Sequence, residues 1–324
     1  MQEQFFGEPA ISAVDEIERS PPPRQADVIW RLCFEDVEKG FASPPASREE
    51  MDRRFGRGQW RPLVRFAAVQ PSGKVRGIDD AKRTLHNSHS ELLETIYTIT
   101  VDWVPEAAAI LRRALLRHWR HVIGEHYPDW MQAELATVDL PDAYRGCPVR
   151  PDQLGASVVA AWCPSAKAWH FMPLHGLAFG LSSAVVSFNR LPTLLVAGLR
   201  RILFLICGAY FDDLPLLDTA SGSPSAMDAL IMLLTAAGAP PADSKTFPPA
   251  QYRTFLGVDA RVPEVVFPGA VTLSPLSRTL RTIREAASTA LKERRLSSGA
   301  AAKLRGQLGW VASNSFGPPE SGHK

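Results

Sequence analysis

The sequence predicts an α+β fold, and two observations carry the prediction. Short apolar runs separated by turn residues crowd the middle of the chain, and helical patterns stand apart from them near the start, around Glu106 and beyond Pro275. A chain of 324 residues with 45% apolar content buries at least one sizeable core.

The elements follow in order. Residues 1–60 carry Pro21-Pro22-Pro23, Pro44-Pro45 and mixed charges, and read as an N-terminal extension. Within it, Ala26 to Glu38 has the amphipathic spacing Val28, Ile29, Leu32, Val37 of a helix. From Arg65 to Asp80 two strands are expected around the turn Pro71-Ser72-Gly73, the second bearing Lys74 and Arg76. Pro105 opens the clearest helical run, Glu106 to His121, rich in Ala and Leu with a basic end. Glu134 to Leu140 reads as a strand. Ala156 to Trp162 and Trp169 to Met172 read as a hairpin about Pro164-Ser165-Ala166. Ser182 to Leu199 has helical spacing that Pro192 is expected to kink or interrupt, and Ile202 to Tyr210 reads as a fully buried strand. The tail beyond Pro275 is helical and basic, with eight Lys or Arg against two Glu between Arg278 and Arg305.

Charge and cysteine usage narrow the function classes. A net charge of +2 and pI near 8.4 describe a nearly neutral chain, so a nucleic-acid surface must come from local clusters such as that tail. Cys33, Cys147, Cys163 and Cys207 form no Cys-x-x-Cys pair, which argues against zinc and against a disulfide framework and suits an intracellular setting, cytoplasmic or nuclear. No secretory signal pattern opens the chain. The most apolar window, Leu194 to Tyr210, is split by Arg200 and Arg201, so no membrane association is expected.

The chemistry is expected at aspartates near strand ends. Tyr210-Phe211-Asp212-Asp213 follows one apolar run and precedes another, Leu214 to Leu217, which puts two adjacent carboxylates on a hairpin turn. Like charges in one place disfavour ionisation unless a cation neutralises them. Asp139 stands at the end of a further strand, in Asp139-Leu140-Pro141-Asp142-Ala143-Tyr144-Arg145. Oxygen ligands from Asp139, Asp212 and Asp213 suit two Mg²⁺ ions, with Mn²⁺ as the alternative, at the ~4 Å spacing used in nucleotidyl transfer. Each motif taken alone has an ordinary reading: a polar turn, a strand-end aspartate, a solvated lysine.

Taken in order, the motifs resemble reverse transcriptases of long-terminal-repeat and tyrosine-recombinase retrotransposons and of retroviruses. Asp139 to Arg145 resembles their first palm motif, and Tyr210-Phe211-Asp212-Asp213 resembles their Tyr-x-Asp-Asp box rather than the Gly-Asp-Asp of RNA-dependent RNA polymerases. Phe179-Gly180-Leu181-Ser182-Ser183-Ala184, with Phe188 and Arg190, resembles the intervening glycine-turn segment. Lys74 and Arg76, followed by Asp80 and Asn87, resemble the fingers strand; Lys245 matches a palm lysine; Phe255-Leu256-Gly257 resembles the primer grip; and Lys303 to Leu308 with Phe316-Gly317 resembles the segment after the thumb. Ala178 replaces a usual proline, and the stretch between Asp80 and Asp139 is longer than in retroviral enzymes, as if the helix at Glu106 were inserted.

The resemblance implies a right-hand polymerase: an extension over residues 1–60, fingers over 61–135, a palm over 136–260 and a partial thumb over 261–324. It implies an RNA-directed DNA polymerase acting on an RNA or DNA template with a primer and on deoxynucleoside triphosphates. Asp139, Asp212 and Asp213 would hold metal and Lys245 would act as an acid. Lys74, Arg76, Asp142, Ala143, Tyr144 and Gly180 would contact the nucleotide, with the Tyr144 ring excluding a 2′-hydroxyl. Phe255, Leu256 and Gly257 would contact the primer. The alternative is a catalytically inactive nucleic-acid-binding remnant of the same fold.

Overall fold

The computed structural model describes residues 5–70, 73, 75–119, 128–263, 265 and 269–315. Lys74, Phe316 and Gly317 lie outside the described residues. The chain forms two compact units, each built from separated segments: residues 1–96 with 142–191, and residues 97–141 with 192–324.

The first unit is a four-stranded sheet covered by helices. Its strands are β1 (Pro62–Val69), β2 (Val75–Asp79), β4 (Val158–Cys163) and β5 (Ala168–Pro173), in the order β2-β1-β4-β5. β1 pairs antiparallel with β2 and parallel with β4, and β4 with β5 forms the expected hairpin. Because side chains alternate along a strand, β4 feeds two cores. Val158 and Ala160 pack with Trp60 and Phe171, while Val159 and Ala161 pack with Leu63 and Met172.

Three helices from the N-terminal segment complete these cores: α1 (Glu8–Arg19), α2 (Ala26–Glu38) and α3 (Arg48–Phe55). α1 contributes Val14 and Ile17, α2 contributes Ile29 and Cys33, and α3 contributes Met51. The start of α3 is set locally by a capping box, in which Ser47 and Glu50 each accept the other's backbone N–H.

The second unit holds two sheets. In the first, β3 (Ala133–Asp139) lies between β7 (Asp213–Thr219) and β8 (Phe247–Ala250), with β6 (Ile206–Cys207) on the far side of β7. β8 carries Pro248 and Pro249, which an edge position tolerates because no ladder N–H is needed on its open side. The second sheet is β9 (Tyr252–Phe255), β10 (Val258–Arg261) and β11 (Thr272–Pro275), in the order β11-β10-β9. Helix α4 (Trp103–Trp119) lays Val104, Ala107, Ala108, Leu111 and Leu115 onto Ala133, Leu135, Leu217, Phe255 and Ala260, and this forms the main core. Helices α6 (Ser223–Ala236), α7 (Ser277–Glu293) and α8 (Ser298–Ser315) follow.

One sequence expectation fails. Helix α5 (Ser182–Ile202) continues past Pro192 without interruption, and the apolar stretch after it is not the expected buried strand. Ile202 and Phe204 are 74% and 84% exposed, and only Ile206 and Cys207 pair in the sheet. An unbroken apolar run does not distinguish the last turn of a helix from a buried strand, and here the helix takes the first part. Among the described residues no helix is long and apolar enough to cross a membrane.

Candidate active site

The carboxylate group lies in the second unit and is placed by strand register. β3 and β7 pair residue for residue from Ala133 opposite Thr219 to Asp139 opposite Asp213, so two carboxylates become direct cross-strand partners. Beyond β7 the ladder closes in a two-residue turn. Tyr210 and Asp213 exchange both backbone hydrogen bonds, at 2.8 and 3.0 Å, leaving Phe211 and Asp212 at the tip. Phe211 has φ 52°, a left-handed conformation that is costly for an aromatic residue, so the tight turn is held against local preference. The Leu140 N–H donates to the Asp212 carbonyl at 3.0 Å, which ties the end of β3 to the tip.

Asp213 registers this crowding. Burial, then the charges of Asp212 and Asp139, push its carboxyl up to about 6, against the opposing pull of Lys245. Lys245 ends a short 3₁₀ turn, Asp243–Lys245, anchored where the Ala242 N–H meets the Asp139 carbonyl at 3.4 Å. Its ammonium donates to Asp139 Oδ1 at 2.6 Å. Among the described residues no three His, Cys, Asp or Glu side chains close into a cation-binding cluster. The three carboxylates supply oxygen donors and net negative charge, the chemistry a divalent cation takes, but Lys245 engages Asp139 and the three do not close around one point.

The residues expected to face the nucleotide are gathered in the first unit, on a turn and a glycine corner. Asp142 adopts φ 50°, and its carbonyl accepts the N–H groups of Arg145 at 2.7 Å and Gly146 at 3.1 Å, which folds Asp142 to Gly146 tightly and leaves Asp142 exposed. Lys39, just past the end of α2, donates to Asp142 Oδ2 at 2.7 Å. The Tyr144 ring lies edge-on to Phe179 at 5.0 Å and tilted against Phe188 at 5.1 Å. Gly180 sits at φ 107°, and a Cβ there would lie 2.1 Å from the Asp79 carbonyl oxygen, so only glycine fits. Asn87 pins this corner: its amide donates to the Gly180 carbonyl at 3.0 Å, and its Oδ1 accepts the Ser182 N–H at 2.8 Å at the start of α5. Arg76 is exposed on β2 opposite Ala68.

In the second unit, Phe255 is buried in the core at the end of β9. Leu256 and Gly257, with φ 46° and 82°, form the two-residue turn into β10. All eight Lys and Arg residues from Arg278 to Arg305 are exposed.

Sequence reasoning missed a buried charge network in the first unit. Arg65 donates to Asp79 and to Asp36, both at 2.7 Å, and Arg145 donates to Asp79 at 2.9 Å. Burial would raise the Asp79 carboxyl, but Arg65 and Arg145 outweigh it and hold it below the usual carboxylate range. The available signal was an Arg on β1 and an Asp on β2 at cross-strand positions, Arg65 opposite Asp79.

No family model matches the sequence, and no curated protein matches it. Among solved structures, the chain is similar to a foamy viral protease-reverse transcriptase determined in complex with double-stranded DNA. The TM-score is 0.55 at 15% sequence identity, and the match covers 85% of this chain and 38% of that one. This chain thus shares a mixed α+β fold with a reverse transcriptase and spans well under half of that structure's length.

Proposed function

We propose that this chain is an RNA-directed DNA polymerase, a nucleotidyltransferase that extends a primer with deoxynucleotides along an RNA or DNA template. The observation that carries the reading is the Asp139–Asp213 cross-strand pair beside the Asp212 turn, with Asp212 and Asp139 both acting on the Asp213 carboxyl and Lys245 opposing them. The shared fold supports it. In this reading residues 61–135 act as fingers, 136–260 as palm and 261–324, with the basic helices α7 and α8, as a partial thumb.

In the reaction, the primer 3′-hydroxyl oxygen bonds to the α-phosphorus of the incoming nucleotide and the bond to pyrophosphate breaks. Asp139, Asp212 and Asp213 would hold two Mg²⁺ ions, which supply charge neutralisation at the attacking and leaving oxygens. Lys74 and Arg76 neutralise the triphosphate, and the backbone N–H groups of Asp142 and Ala143 donate to it. The Gly180 corner lies beneath the nucleotide, and the Tyr144 ring excludes a 2′-hydroxyl. Leu256 and Gly257 contact the primer, and Phe255, buried in the core, anchors their turn and makes no contact itself. Lys245 delivers a proton to the departing pyrophosphate, which requires it to release Asp139. The exposed cations from Arg278 to Arg305 hold duplex phosphates without reading sequence.

One observation favours a second reading, a nucleic-acid-binding protein without turnover: Lys245 is paired with Asp139. Primer extension on RNA and DNA templates, with Mg²⁺, Mn²⁺ or chelator, separates the two. Metal-dependent extension is expected, and binding of template-primer with no extension under either ion would establish the second reading. Tyr144→Val should raise ribonucleotide use relative to deoxynucleotide use about tenfold or more, equivalent to about 1.4 kcal/mol of relieved clash per tenfold.

A further inference from the structure

The Tyr144 ring rests edge-on against a Phe179 ring that has buried charge over it. The charge is the Arg145 guanidinium, 5.5 Å from the Phe179 centroid. That guanidinium donates to the Leu177 carbonyl at 3.0 Å and to Asp79 at 2.9 Å, and stands 3.5 Å from Asp36. Arg65 braces both carboxylates from the other side. The side chains of Arg65, Asp79 and Arg145 are 2%, 0% and 5% exposed, and that of Asp36 is 17% exposed. Two arginines thus meet two aspartates in balanced charge.

Such a buried set contributes little net stability, because desolvation of the ions offsets their attraction. What it does supply is geometry. A guanidinium is planar, lies flat on an aromatic face and takes carboxylate oxygens along fixed directions, so each contact restrains the orientation of the others. Asp36 reaches the network from α2, and Lys39, at the end of the same helix, holds Asp142 at the other end of the Asp142 to Arg145 turn. The N-terminal segment therefore grips both ends of the turn that carries Tyr144.

We propose that Asp36, Asp79 and Arg145 are positioning residues for sugar selection, holding the Phe179 ring, and through it the Tyr144 ring, at the place where a 2′-hydroxyl would clash. The proposal rests on the reading of Tyr144 given above. Its reach is wider than the motif residues, because it makes the helix Ala26–Glu38 part of the nucleotide site.

The test is the ratio of kcat/KM for deoxynucleotides to that for ribonucleotides in the full-length wild type, Asp36→Asn, Arg145→Lys, Tyr144→Val and the two double variants with Tyr144→Val. Asp36→Asn should narrow the deoxynucleotide preference by about threefold to tenfold, and Arg145→Lys, which keeps the charge but loses the planar fork, by about tenfold or more. Deoxynucleotide kcat should stay within a few-fold of wild type. Neither substitution should narrow the preference further in the Tyr144→Val background, because both act through that ring. A loss that falls equally on both nucleotides, or effects that multiply with Tyr144→Val, would overturn the proposal. Asp36→Asn conserves shape at the most accessible member of the network, so it decides the question if Arg145→Lys fails to fold. A wild type that extends primers without preferring deoxynucleotides removes the Tyr144 reading itself, whereas a wild-type preference left intact by Asp36→Asn removes only the positioning claim.

Discussion

Replacing Asp213 by Asn removes one of three like charges without changing the shape of the hairpin, and the consequence for stability can be worked from its surroundings. In the folded chain the Asp213 carboxyl is raised from 3.8 to about 6 by burial, then by Asp212 and Asp139. A group whose folded pKa is raised stabilises the protein fully below its unfolded pKa and loses that contribution as pH rises through the folded value. Ionised Asp213 therefore weakens the fold above pH 6. A displacement of this size corresponds to about 3 kcal/mol at about 1.4 kcal/mol per pKa unit, and screening at a partly open site reduces it to about 1 to 2 kcal/mol.

In chelator at pH 7.5, Asp213→Asn should therefore raise Tm by about 2 to 3 °C, while below pH 4 the two proteins should melt together. Added Mg²⁺ or Mn²⁺ should raise the wild-type Tm by binding the folded state and should shift the variant much less. The assay is thermal unfolding by circular dichroism across pH with and without divalent cation. If Asp213→Asn melts at or below the wild-type temperature at pH 7.5 in chelator, Asp212 and Asp139 do not crowd the Asp213 carboxyl as described, and a cation is not needed there.

Three further outcomes follow from the same structure. Asp212→Asn should abolish primer extension while leaving template-primer affinity within a few-fold of wild type, as read by extension and fluorescence anisotropy; equal loss of both would indicate misfolding instead. Truncation after Pro275 should weaken template-primer binding alike for all sequences and flatten the slope of log K against log salt by about 1 for each phosphate that the tail no longer neutralises; an unchanged slope contradicts a phosphate-binding role for the tail. His86 is held down to about 4 by burial and by the charge of Arg61, so its neutral form stabilises the fold above pH 6.5 and that contribution fades as pH falls toward 4. His86→Gln should remove about 3 kcal/mol of the acid-side fall in unfolding free energy measured by urea titration, and an unaltered pH slope would show that His86 does not titrate as described.

Much of the fold was legible because local patterns are short-range. The helix Ala26–Glu38 and the hairpins of β1 with β2 and of β4 with β5 follow from periodicity and turn residues. The stretch after Ile202 was not legible. Its apolar residues suit a strand or a helix end equally, and the outcome is a longer helix, three exposed apolar residues from Ile202 to Phe204, and a two-residue strand. The Asp212-Asp213 turn was readable from its flanking runs, whereas the Lys245–Asp139 pair, which joins residues distant in the chain, was not.

The amino-acid sequence by itself determined which residues carry charge and where the chain must turn: Asp139 at a strand end, two aspartates on a hairpin, a glycine at the turn before a helix, and cations clustered in the tail. Tertiary structure decided which of those charges meet. The β3–β7 register set Asp139 opposite Asp213, and the packing of α2 on the first sheet brought Asp36 to Arg65 and Arg145. The reason is that turn and helix signals act over a few residues, whereas an ion pair between distant segments depends on how separate elements pack. Periodicity marks the side of a strand or helix that a charge occupies and is silent about the charge it will face across the core.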